Sequence, residues 1–184
     1  MGDLTLDVRP FDSPADYERM IEYFHSANEA LLAVMGVDRR RLPAREAWLE
    51  RLLPDLERPA SHKQTYYLSW WANDVPVGHS NVNQISFGQQ AFVHMHLWRA
   101  SQRRGGMGQK FFDRSLRLFI SALSLERVIC EPHAQNTAPN RVLQRAGFRL
   151  VRCYRTTPGL INSEQDVNRW ELDVGSAHRA GSAP

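Results

Sequence analysis

Phe92, His94, His96 and Trp98 alternate along one short run, so a β-strand over 91–98 sets all four side chains on the same face. An imidazole has an ordinary pKa of about 6.5 and takes a proton near neutral pH, which makes His94 and His96 candidate bases. Next comes Arg103-Arg104-Gly105-Gly106-Met107-Gly108, ahead of a helix-like run that begins at Met107. A glycine-rich turn there opens the first backbone N–H groups of a helix to a phosphate, and the helix dipole adds about 0.3–1 kcal/mol. The spacing is neither the three-glycine dinucleotide fingerprint nor a P-loop. Glu131 follows the short apolar run 128–130 and could orient an imidazole, bind an amine or act as a base. Two histidines and a carboxylate are also a metal-ligand set, but nothing else in the chain calls for a metal and none is expected.

Arg103, Gly106 and Gly108 fit the pattern Arg/Gln-x-x-Gly-x-Gly/Ala, and Asn136-Thr137-Ala138-Pro139-Asn140-Arg141-Val142-Leu143-Gln144-Arg145-Ala146-Gly147-Phe148 reads as an asparagine-led helix closed by Gly-Phe. In this order and spacing the two segments resemble the GNAT superfamily of acetyl-coenzyme A-dependent N-acetyltransferases. The resemblance is strongest over 91–148 and weakest over 10–65. It implies an α/β fold with a central mixed, twisted sheet of about seven strands flanked by about four helices. It also implies acetyl-CoA as co-substrate, with its phosphates on Arg103, Arg104, Gly105, Gly106, Met107 and Gly108.

In the family the strand before the loop splays from its neighbour and offers backbone N–H groups to the pantetheine and the thioester carbonyl. Here these would come from Leu97, Trp98 and Arg99. The resemblance makes His94 and His96 leading bases, with Glu131 beside them, and Asn136 and Asn140 cofactor contacts or helix caps. The family's usual tyrosine acid, four positions ahead of the helix-closing glycine, is Leu143 here. That departure is similar to the branch that acetylates the N-termini of ribosomal proteins, and it leaves Tyr154 as a substitute acid. The spacing Glu131-Pro132 to Asn136 also resembles a subgroup that acylates hydroxylamine-bearing siderophore precursors. The expected reaction is direct attack by a small-molecule or peptide amine in a ternary complex. A noncatalytic acyl-CoA-binding protein that kept the loop but lost the acid is the alternative outside enzymology.

These groups need a scaffold, and 184 residues, 42% of them hydrophobic, suffice for one good core. A single domain over 1–175 with a flexible tail over 176–184 is expected. A net charge of +3 suits phosphates but is no nucleic-acid signature, and no apolar run approaches the roughly 20 residues of a membrane helix. Two cysteines suggest no disulfide framework, so a reducing cytoplasm is the expected setting; the family leaves a homodimer open.

Local signals predict the elements. A strand over 4–9 precedes Ser13-Pro14, a cap and first-turn proline for a helix to about Val34, and a second helix follows Pro43. Asn73-Asp74 joins strands 64–72 and 75–85 as a hairpin, with Pro76 an edge-type residue. A helix over 107–123, a buried strand over 128–130 and strands over 148–156 and 167–174 complete the order. Glu164 and Asp166, in the loop before the last strand, are candidate selectors of a cationic acceptor.

Overall fold

The computed structural model describes residues 4–99 and 106–175. Seven strands form one sheet: β1 (Leu6–Pro10), β2 (Tyr66–Ala72), β3 (Val75–Ser86), β4 (Gln90–Leu97), β5 (Arg127–Cys130), β6 (Arg149–Thr156) and β7 (Gln165–Asp173). Their order across the sheet is β1-β2-β3-β4-β5-β7-β6, and only β4 and β5 run parallel. A parallel pair needs a crossover, and α5 (Met107–Leu123) supplies it. The remaining helices are α1 (Pro14–Ser26), α2 (Glu29–Met35), α3 (Arg45–Leu52), α4 (Pro54–Glu57) and α6 (Thr137–Arg145). Among the described residues none is long and apolar enough to cross a membrane.

The β2–β3 hairpin turns as expected, because Asn73 and Asp74 both take positive φ, 47° and 59°, as its two-residue turn requires. Pro76 pairs with Trp71 of β2 but lies beyond the β3–β4 ladder, which begins at Gly78, so it is locally edge-type as expected although β3 as a whole is flanked by β2 and β4.

The helix expected from Ser13 to Val34 is two helices. Ala27 is extended, and the Asn28 side chain accepts the Leu31 N–H at 2.9 Å, capping α2 and starting a new axis. Ser13 holds the cap position of α1 without a side-chain cap bond; its hydroxyl instead donates to Asp16, which also accepts the Asp12 N–H. With that break and the short α4, six α-helical segments replace the expected four.

The two faces of the sheet bury different cores. Leu68, Val82, Val93, Val128 and Trp170 pack with Phe112, Phe119 and Leu123 of α5 and Leu143 of α6. On the other face Tyr67 packs under Tyr17, Met20, Ile21 and Phe24 of α1, Leu32 of α2, and Trp48 and Leu52 of α3. Full burial of Leu143 explains its identity: the position belongs to the core, where a tyrosine hydroxyl would need a partner.

Candidate active site

Strands β4 and β5 pair only over Gln90–Phe92 and Arg127–Ile129 and then separate. Continuing that register sets His94 opposite Glu131, one at each side of the mouth of the gap. Strand alternation sends Val93, Met95 and Leu97 toward α5 and Phe92, His94, His96 and Trp98 to the opposite face, as their spacing predicts.

The same alternation sorts the backbone. The Trp98 N–H donates to the Val77 carbonyl at 3.0 Å, so it faces β3 and is spent in the ladder. Backbone groups of neighbouring residues on an antiparallel strand point to opposite sides, which turns Met95 and Leu97 toward the gap. The expectation of a cofactor contact from the Trp98 N–H is therefore corrected, and Met95 enters the set. Arg99 is exposed beyond the end of β4. Arg103, Arg104 and Gly105 lie outside the described residues.

Gly106 precedes α5 with φ 72°, and a side chain built on it would meet none of the described residues within 4 Å. The first turn, Met107 and Gly108 included, carries no acid to repel a phosphate, and a Cβ on Gly108 would press within 3.2 Å of Leu97. An acid-free helix start beside a strand gap fits a cofactor with a pyrophosphate and a linear thiol arm.

His94 is half-buried, and its Nε2 lies 3.2 Å from Asn83 Oδ1. With the Asn83 carbonyl as acceptor, the ring carries its proton on Nε2 and keeps a lone pair on Nδ1. Burial lowers its pKa to about 4, against the opposing pull of the Glu131 charge, so the ring is neutral at physiological pH. His96 sits differently: its ring stacks on His79 at 4.8 Å and meets Phe24 and Tyr23 of α1 at 5.1 and 5.7 Å. Tertiary packing thus separates two histidines that sequence treats alike.

Glu131 is held rather than poised. Its Oε1 accepts from Arg169 Nη1 at 2.8 Å and from the Tyr154 hydroxyl at 2.6 Å, and Arg169 Nε also donates to Glu171 at 2.7 Å. The Glu131 and Arg169 side chains are 9% and 21% exposed. Tyr154 stands on β6, two strands beyond β5, with its hydroxyl directed at Glu131; burial foremost, and that hydrogen bond, push its pKa up. The Tyr154 hydroxyl is thus engaged with Glu131 at the side of the β4–β5 gap.

Asn140 is committed to the fold. Its Nδ2 donates to the carbonyls of His133 and Asn136 at 3.2 and 2.7 Å, and its Oδ1 accepts from Asn168 and Trp170 at 2.9 and 2.8 Å. It clamps α6 to β7 and keeps no group for a cofactor. Asn136 stands at the start of α6 but its side chain makes no cap bond. Glu164 and Asp166 both pair with Arg155, at 3.2 and 3.7 Å, which offsets their charge toward a cationic acceptor. Burial raises the pKa of Cys130, leaving a thiol unsuited to nucleophilic work. Among the described residues no group of three histidine, cysteine or acidic side chains clusters to hold a metal ion.

Sequence reading placed the strand that becomes β3 but missed its contribution to the site. His79, Asn81 and Asn83 alternate on the face that carries the β4 histidines, and His79 and Asn83 contact His96 and His94. The signal was the polar run His79-Ser80-Asn81 followed by Asn83, of which the strand period sets 79, 81 and 83 on one face.

The chain matches the model of the acetyltransferase (GNAT) domain over residues 5–149. Comparison with curated protein sequences returns no match. Among solved structures it is similar to RimL, a ribosomal L7/L12 alpha-N-protein acetyltransferase in complex with coenzyme A, at 16% identity over 92% of this chain and 94% of that one, TM-score 0.74. The ribosomal-protein-S5-alanine acetyltransferase of Vibrio fischeri shares 20% identity over 91% and 92%, TM-score 0.71. Spermidine N-acetyltransferase of Vibrio cholerae with CoA and spermine shares 12% over 92% and 96%, TM-score 0.73.

Proposed function

Because the chain belongs to the acetyltransferase (GNAT) domain family and is an acetyl-CoA-dependent N-acetyltransferase, we propose that it acetylates a primary amine by direct attack at the β4–β5 gap, with His94 as the base. The observation that carries this reading is the register: separation after Phe92 and Ile129 puts His94 at the gap with its Nδ1 lone pair available, while Glu131 is engaged by Arg169 and Tyr154.

Acetyl-CoA supplies the acyl group as a thioester. The start of α5, from Gly106, receives its phosphates through backbone N–H groups, and the β5-facing backbone of Met95 and Leu97 borders its thiol arm. The amine nitrogen forms a bond to the acyl carbon, the carbon–sulfur bond breaks, and His94 takes the proton released by nitrogen. Leu143 offers no acid and Tyr154 is engaged, so the sulfur leaves as thiolate and takes its proton from solvent. The acceptor approaches over the face that carries His94, His96 and Trp98, between α1 and the ionic row of β5 and β7. Its class is an amine on a peptide or a small molecule, the range spanned by the named relatives.

Calorimetry with acetyl-CoA followed by thiol release against a panel of peptide, polyamine and aminoglycoside amines tests this. Binding with acceptor-dependent release is the expected result. Binding without release by any amine would favour an acyl-CoA-binding protein, and no binding would remove the reading of the α5 start.

A further inference from the structure

We propose that His79 is a positioning residue for the acetyl transfer, fixing the His96 imidazole by a stacked face beneath α1 on the acceptor-facing wall while being locked itself by the Trp98 indole. The inference rests on the transferase reading above. His79 is 1% exposed at the centre of β3 and is the direct cross-strand partner of His96. The two rings lie 4.8 Å apart and within 17° of parallel. Phe24 and Tyr23 of α1 lie over both rings, at 5.1 and 5.7 Å from His96 and 6.2 Å each from His79, so the stacked pair is held between the sheet and α1.

Trp98 decides how His79 sits. An indole N–H can only donate, and it reaches His79 Nδ1 at 2.9 Å. The His79 proton must then reside on Nε2, and the ring cannot turn over without losing the bond. His79 sits among the rings of Tyr23, Phe24 and Tyr67, so packing alone does not ask for an imidazole here. A polar ring in such a place costs free energy unless its bonds are useful. What the imidazole adds is an acceptor for Trp98 and a flat neutral face for His96.

Neutrality follows from the surroundings. Burial drives the protonation of His79 far below the ordinary histidine range, with the neighbouring His96 and His94 acting in the same direction. The titratable groups around it are His96 and His94 from β4, Tyr23 from α1 and Tyr67 from β2. His79 therefore adds no positive charge to the wall that an amine must approach uncharged. Trp98 also ends the strand that runs into the glycine loop, so one hydrogen bond ties the acceptor wall to the cofactor strand.

The test uses the whole chain with acetyl-CoA and an amine found to be acetylated. His79→Phe keeps a flat ring and removes the acceptor; Trp98→Phe keeps a ring and removes the donor. Each should lower kcat about tenfold while KM for acetyl-CoA changes less than twofold, and the double variant should cost little more than either alone. Nitrogen-15 spectra should show His79 as the Nε2–H tautomer in the parent and a mixture in Trp98→Phe. Unchanged kcat in a folded His79→Phe, or an Nδ1–H tautomer in the parent, would overturn the proposal. Should His79→Phe fail to fold, Trp98→Phe and the tautomer decide it. Loss of acetyl-CoA binding by the parent would instead count against the transferase reading.

Discussion

The two sides of the β4–β5 gap are built from opposite chemistry. On the β3–β4 side, imidazoles are packed among aromatics, His79 on His96 and His94 on Asn83, with Tyr23 and Phe24 above, and burial keeps His79 and His94 uncharged. On the β5–β7–β6 side, charges are packed among charges: Glu131, Arg169, Glu171 and the Tyr154 hydroxyl share one set of hydrogen bonds. The neutral side keeps a lone pair available, because burial removes the proton that would occupy it. On the ionic side each carboxylate is bonded to Arg169 through one oxygen, which fixes its place and offsets its charge. The burial that keeps His94 unprotonated also weakens it as a proton acceptor, to about the level of an ordinary carboxylate, so geometry rather than basicity distinguishes the two sides.

Substitutions on the two sides should separate along this line. His94→Ala removes the base and should lower kcat by about 10²-fold or more, with calorimetric acetyl-CoA affinity within a few-fold. If activity survives and Glu131→Gln abolishes it, the roles of the two sides are exchanged. On the ionic side the larger effect is on stability. Arg169→Met leaves Glu131 and Glu171 without their partner and should cost about 3 kcal/mol in urea unfolding; a loss under about 1 kcal/mol would show the row to be dispensable.

Stability should also respond to pH through the neutral side. His94 has a folded pKa of about 4 against an unfolded value of about 6.5. Between these the unfolded chain binds a proton that the folded one refuses, so stability is complete above about pH 6.5 and falls as pH drops toward 4. For a half-buried ring the loss should be roughly 2 kcal/mol, and buried His79 adds to it with the same sign. Urea titrations across that window should show a shallower slope in His94→Gln; an equal slope would deny the ring its depressed pKa. The smallest effect belongs to Tyr154→Phe, which removes one hydroxyl from Glu131. It should cost about 1 kcal/mol and leave kcat within tenfold, whereas a loss of 10²-fold or more would restore Tyr154 as the acid.

The amino-acid sequence by itself determined the elements whose signals are local. Asn73-Asp74 specified a turn, the apolar stripe after Met107 specified α5, and the alternation from Phe92 to Trp98 put four side chains on one face, each within a few residues of its cause. The Asn28 cap was equally local, yet the apolar period ran through it and hid the break between α1 and α2. Only tertiary structure decided the site. It set His94 at the strand gap and His96 beneath α1, turned the Trp98 N–H into the ladder, bonded Asn140 to β7 and Tyr154 to Glu131, and brought His79 from β3 against His96. Each of these depends on register between strands distant in the chain, and a one-residue slip would send every such side chain to the other face, so no local pattern carries that information.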